Sequence, residues 1–186
     1  MSTPPPPSIA AKSATQGLYI GIYLIVLATL SGMSMAFPVA SVIVLAASVF
    51  LPFFTYRLLR ESAASTGFKV SFAELWAEGI GSYFLAAVIL AAYVYIMLRF
   101  VFPDFMQQQL DFVLDALNNG AGTQNPELAR LLEATPVPTA VQTAAQAITA
   151  NITLGALISL IAAACVSVRY SNESRRQAFL NRRNGK

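Results

Sequence analysis

Charges in this 186-residue chain are confined to a few places, and the intervals between them are long. Lys12 and Arg57 bracket 44 uncharged residues, Glu78 and Arg99 bracket 20, and Glu133 and Arg169 bracket 35. A helix of about 20 mostly apolar residues crosses the roughly 30 Å of bilayer hydrocarbon. The first interval therefore holds two crossings and each of the others holds one. Only 11% of residues are charged and 56% are hydrophobic, against about 25% charged in an ordinary soluble domain. A soluble globule of this size cannot hide so much apolar surface. The same numbers exclude disorder, and a single cysteine excludes a disulfide scaffold.

The expected spans are 17–36, 38–56, 72–102 and 140–168. The first two are separated only by Ser31-Gly32-Met33-Ser34-Met35-Ala36-Phe37-Pro38. Pro38 suits the first turn of a helix, where a missing N–H costs nothing, so the pair forms an antiparallel hairpin. Pro52 cannot donate to the Ser48 carbonyl, which predicts a kink in the second span. Closed β-barrels alternate apolar and polar residues in segments of about ten. Phe84–Leu98 and Leu154–Val166 are instead apolar on every side. The fold class is an all-α integral membrane protein with four transmembrane helices. A short helical extracytoplasmic insertion, residues 103–138, separates the third and fourth.

Ten of the twelve basic residues fall on one side of this arrangement: Lys12, Arg57, Arg60, Lys69, Arg169, Arg175, Arg176, Arg182, Arg183 and Lys186. Arg99 and Arg130 share the other side with Asp104, Asp111, Asp115, Glu127 and Glu133. Positive residues stay cytoplasmic, so both termini and the Arg57–Lys69 loop are expected on the cytoplasmic side of the membrane. Aromatic residues agree: Phe50, Phe53, Phe54, Tyr56, Phe72 and Trp76 gather at one interface and Tyr93, Tyr95, Phe100, Phe102 and Phe105 at the other. The polyproline start lacks a basic signal-peptide leader, and its apolar run continues into a second span, so the first span reads as uncleaved. Residues 1–14 are expected as a disordered Pro-rich cytoplasmic tail, 15–169 as the transmembrane domain and 170–186 as a basic cytoplasmic tail.

Histidine is absent and Cys165 stands alone within the fourth span. No catalytic triad, His/Cys metal site or phosphate-cradling glycine loop can be assembled from the sequence. No catalytic, metal or cofactor-binding residue is expected, and no nucleic-acid partner. Cys165 reads as a small packing residue. The densest chemistry lies in Lys69–Gly81. Ser71 and Glu74 have capping-box spacing, whereas Glu78 lies one turn deeper. An intramembrane carboxylate is costly and is usually paired or functional. Three readings stay open for Glu78: an ion pair with Arg57, Arg60 or Lys69, solvation at headgroup depth, or a proton- or cation-coupled role. Small residues mark close helix approaches: Gly17 and Gly21 on the first span, Gly79 and Gly81 on the third, Gly155 and Ser159 on the fourth. Gln142, Gln146, Thr149 and Thr153 form a further, polar stripe.

The insertion has its own periodicity. Asp104 and Gln107 are positioned to cap a helix in which Met106, Leu110, Val113, Leu114 and Leu117 share one face. Asn118-Asn119-Gly120 stops it. A second short helix, 125–134, presents Leu128, Leu131 and Leu132, and the two are expected to pack as a cap over the third and fourth spans.

The first hairpin, the Phe72-Ala73-Glu74 and Gly79 region, the Phe102-Pro103-Asp104-Phe105 exit and the basic end of the last span carry a resemblance. Over Thr15–Arg169 the chain resembles the bacterial membrane family catalogued as domain of unknown function 4199. The resemblance implies a four-helix inner-membrane protein and supplies no activity. Its association with glycosyltransferases acting on polyprenyl lipids implies, as one alternative, an accessory or enzyme of lipid-linked sugar metabolism. The leading expectation is a non-enzymatic accessory or scaffold subunit that sits in the lipid bilayer with a membrane-protein partner or a second copy of itself. The other alternative is a small oligomeric transporter or channel using Glu78.

Overall fold

The computed structural model describes residues 8–34, 37–66, 70–119, 130–131 and 134–184; for Pro38, Asn118, Asn119 and 171–184 it describes the backbone alone. Among the described residues there are helices and turns and no strand. The helices are α1 (Ile9–Met33), α2 (Pro38–Ser65), α3 (Phe72–Ile96), α4 (Phe105–Asn119) and α5 (Ala140–Asn184). Four stretches are long and apolar enough to cross a membrane: Ile9–Met33, Val39–Ser65, Phe72–Val101 and Ala140–Tyr170.

Local sequence explains the helix ends. Ser8 caps α1, its hydroxyl accepting the Ala11 N–H at 3.3 Å. The helix thus starts well before residue 17, and residues 9–14, expected within the disordered tail, are helical. Pro38 opens α2 as expected, but α2 runs past Tyr56 to Ser65. Arg57, Arg60 and Glu61 therefore project from helix rather than loop. The Ser71–Glu74 capping box forms: the Glu74 carboxylate accepts the Ser71 N–H at 2.7 Å, and Ser71 Oγ accepts the Glu74 N–H at 3.2 Å. Thr139 and Gln142 build an equivalent box at the start of α5, with contacts of 2.8 and 3.3 Å. At the far end of α3 the coil widens to a π-helical turn over Met97–Val101. There the Phe102 N–H reaches back five residues to the Met97 carbonyl at 2.8 Å. Pro103 follows and cannot extend the helical ladder.

The chain divides into two compact units. One holds α1, α2, α3 as far as Leu90 and α5 from Ile148; the other is Ala91–Ala147. In the first, α3 buries Leu75, Glu78, Gly79, Ser82, Tyr83, Ala86, Ala87 and Leu90 along one stripe of helical period. On α5 the stripe is Gly155, Ser159, Ala162, Ala163 and Val166. Leu59, Ala63, Leu75, Ala162, Ala163 and Val166 form one apolar cluster, with Tyr56, Val70 and Tyr170 packed on its margin. Cys165 falls off this stripe and is exposed, so it is not the packing residue expected. Large apolar side chains face outward in quantity, among them Val42, Leu45, Val49, Phe50 and Phe53 of α2, as befits helices surrounded by hydrocarbon rather than water.

In the second unit, α4 half-buries Met106, Leu110, Leu114 and Leu117 and exposes Gln107, Gln108, Asp111, Asp115 and also Val113. Gln107 does not turn back to cap; its amide donates forward to Asp111 at 3.1 Å. Of the second short helix, Arg130, Leu131 and Ala134 are helical, while Leu128 and Leu132 lie outside the described residues. The polar stripe Gln142, Gln146, Thr149 and Thr153 is exposed.

Candidate functional site

Among the described residues one carboxylate lies deep in the first unit. Glu78 is 2% exposed, against the exposed Glu74 one turn earlier on α3. Its carboxylate is held by neutral donors from two other helices. The Gln16 amide of α1 donates to Oε1 at 2.6 Å, and the Ser62 hydroxyl of α2 donates to Oε2 at 2.9 Å. A carboxylate can only accept, so the contact fixes the Gln16 amide with its nitrogen inward. The Glu78 carbonyl accepts from Ser13 Oγ at 3.0 Å and from Ser82 Oγ at 2.8 Å. Ser82 Oγ also lies 3.2 Å from Gln16 Oε1, and the Gln16 amide lies 3.4 Å from the Leu58 carbonyl. Three helices are thereby tied to one side chain.

Glycines make these distances possible. A Cβ on Gly81 would sit 3.0 Å from Ser13 Oγ, and one on Gly17 would sit 2.7 Å from the Ser82 carbonyl. On the other side of α3, a Cβ on Gly79 would come within 2.6 Å of Ser159, while one on Gly155 would overlap the Tyr83 ring. Gly21 is looser, its nearest neighbour being Ile89 Cδ1 at 3.2 Å. All six residues singled out for helix packing thus stand at close approaches. Deeper along α3, the Thr55 hydroxyl donates to the Leu51 carbonyl at 3.0 Å, which leaves the Tyr83 hydroxyl to donate to Thr55 Oγ1 at 2.7 Å.

The expected arginine partners do not reach Glu78. Arg57 pairs with Glu61 at 3.0 Å on the surface, and Arg60 Nε donates to the Tyr170 hydroxyl at 3.3 Å. The reason is helical phase: Leu59, Ser62 and Ala63 occupy the inward side of α2, which turns Arg57, Arg60 and Glu61 outward. Lys69 lies outside the described residues. Among the described residues no cation comes within 4.0 Å of the Glu78 carboxylate. The nearest in the network is Lys12, which donates to the Ser62 carbonyl at 3.4 Å and to Ser65 Oγ at 3.2 Å. Lys12 therefore marks the polar edge of the cluster.

Sequence reasoning missed Gln16, Ser62 and Ser13. A signal existed: Ser13, Gln16, Gly17, Ile20, Gly21 and Leu24 share one buried stripe of α1, and Thr55, Leu59 and Ser62 repeat the spacing on α2. A polar residue on the same face as packing glycines points into protein, not lipid. Chemically, the arrangement can hold a carboxylate in a fixed position and exclude water from it. No group of three His, Cys, Asp or Glu side chains able to hold a metal comes together among the described residues.

Compared with known proteins, the chain matches the family model described as "Protein of unknown function (DUF4199)" over residues 15–167. No curated protein and no solved structure matches it significantly. With four apolar membrane-length helices and a match across most of its length, the chain belongs to the DUF4199 family of proteins of unknown function.

Proposed function

We propose that the protein acts through its surface, as a non-enzymatic accessory or scaffold subunit of a membrane complex in the bacterial cytoplasmic membrane. The observation that carries this reading is the closure of the Glu78 cluster. Each carboxylate oxygen is met by a neutral donor at 2.6 or 2.9 Å, and the residue is 2% exposed. A group so enclosed suits helix assembly better than it suits a substrate. The partner is a second membrane protein or another copy of this chain. Affinity purification of the full chain in mild detergent, followed by mass spectrometry, tests this: a stoichiometric membrane partner or a homo-oligomer is expected, and a bare monomer contradicts it.

Both termini are assigned to the cytoplasm. The support is the ten-to-two division of basic residues, together with the contacts that bring Lys12 to Ser65 and Arg60 to Tyr170 at one end of the first unit. Alkaline phosphatase fused after Gln124 should be active, and fusions after Ser65 or Lys186 inactive. Activity at Lys186 overturns the assignment.

A second reading, a small oligomeric transporter, draws on the absence, among the described residues, of a cation within 4.0 Å of the Glu78 carboxylate, since intramembrane carboxylates often serve ion pathways. It requires Glu78→Gln to abolish flux in proteoliposomes while leaving the thermal midpoint unchanged.

A further inference from the structure

The charged residues that turn away from Glu78 form a site of their own. Arg57, Arg60, Glu61 and Ala64 line a surface concavity of about 440 Å³. These positions follow one another at helical spacing along the outward face of α2, just where charge returns after 44 uncharged residues. On a membrane-spanning helix that is the level of lipid headgroups.

Among the described residues, both guanidinium groups are anchored through one nitrogen, Nε. Arg57 uses Nε on Glu61 Oε1 at 3.0 Å. Arg60 uses Nε on the Tyr170 hydroxyl at 3.3 Å, and Tyr170 is itself packed on the margin of the apolar cluster. The Nη groups of both arginines have no protein acceptor among the described residues. A surface arginine usually loses most of its attraction to the entropy of its long side chain; here Nε contacts restrict that freedom in advance. The unspent donors have the planar fork that recognises phosphate oxygens.

Local charge selects among phosphates. Arg57 and Arg60 carry two positive charges and Glu61 one negative, leaving one positive charge in the concavity. A phosphodiester bearing a single negative charge neutralises it. An ethanolamine or choline headgroup brings an additional cation, which leaves the positive charge of the concavity uncompensated.

We propose that this concavity is a binding site for the phosphodiester headgroup of an anionic phospholipid of the phosphatidylglycerol type, taken from the leaflet that surrounds α2. The proposal rests on the membrane-spanning fold and is independent of the scaffold reading. The basic C-terminal segment also attracts anionic lipid by its charge, so the test must separate the two.

Full-length protein in a neutral detergent is mixed with chain-matched phosphatidylglycerol, phosphatidylethanolamine and phosphatidylcholine, and retained lipid is counted by native mass spectrometry. Phosphatidylglycerol should be retained over the other two by about tenfold, a difference of about 1.4 kcal/mol. Arg57→Gln/Arg60→Gln should abolish the preference, and Tyr170→Phe should weaken it. Arg182→Gln/Arg183→Gln in the C-terminal segment should leave it intact. Thermal midpoints without lipid should be alike, because the substituted arginines are exposed. Equal retention of all three lipids overturns the proposal. So does a preference that survives in the Arg57/Arg60 variant and disappears in the C-terminal one. Complete displacement of the lipid by millimolar inorganic phosphate would show a soluble-anion site and overturns the lipid assignment.

Discussion

Ser62 and Arg60 stand two residues apart on α2 and belong to opposite worlds. Ser62 completes a closed cluster in which the Glu78 carboxylate is met by neutral donors from α1 and α2. Arg60 and its neighbours Arg57 and Glu61 form an open surface site whose guanidinium groups keep unspent donors. Burial makes the difference. Inside, a lost donor or acceptor leaves its partner stranded without water, at the full desolvation cost. Outside, water and headgroups replace whatever is removed, so the same charges contribute little to stability and stay available for recognition.

The contrast breaks most readily from the inside. Glu78→Ala removes the acceptor of Gln16 and Ser62 together and opens a cavity, and should destabilise by about 3–5 kcal/mol. Steric trapping or thermal unfolding in detergent measures this. Next comes crowding: Gly79→Ala drives a methyl to 2.6 Å from Ser159, an overpacking that costs about 1–3 kcal/mol. Gly21→Ala meets only Ile89 at 3.2 Å and should cost less than Gly79→Ala in the same assay. Glu74→Ala, which loses one half of a capping box and nothing in the core, should lower stability less than Gly79→Ala does in the same assay. At the outer site, Arg57→Ala breaks an exposed ion pair and should change stability by about 0–1 kcal/mol. A large loss there, or a small one at Glu78, would erase the distinction between the two regions.

Much of the membrane fold was legible because the bilayer imposes a one-dimensional rule. Charges delimit spans, so the four crossings follow from Lys12, Arg57, Glu78, Arg99, Glu133 and Arg169 without any tertiary information. Small residues likewise point to close contacts, and Gly79, Gly155 and Ser159 stand at them. Helix ends were less legible. α1 starts at Ile9 because Ser8 caps it, a local hydrogen bond that a hydropathy count does not see. Partner choice was least legible. Arg57 was a reasonable partner for Glu78 by charge, yet the phase of α2 directs Ser62 inward instead. Only the relative rotation of helices decides that, and no single-helix pattern encodes it. For the insertion, the apolar face of α4 was legible, while Leu128 and Leu132 of the helix expected to cover it lie outside the described residues.

The central claim is that one side chain, Glu78, ties α1 and α2 to α3 through Gln16 and Ser62. A double-mutant cycle tests it most directly: Gln16→Leu, Glu78→Leu and the double variant, each unfolded reversibly in the same detergent. Direct partners in a buried network should show a coupling energy of about 1–3 kcal/mol, the double variant being far less destabilised than the two single losses added together. Losses that add to within about 0.5 kcal/mol would mean that the two residues do not interact, and would contradict the account.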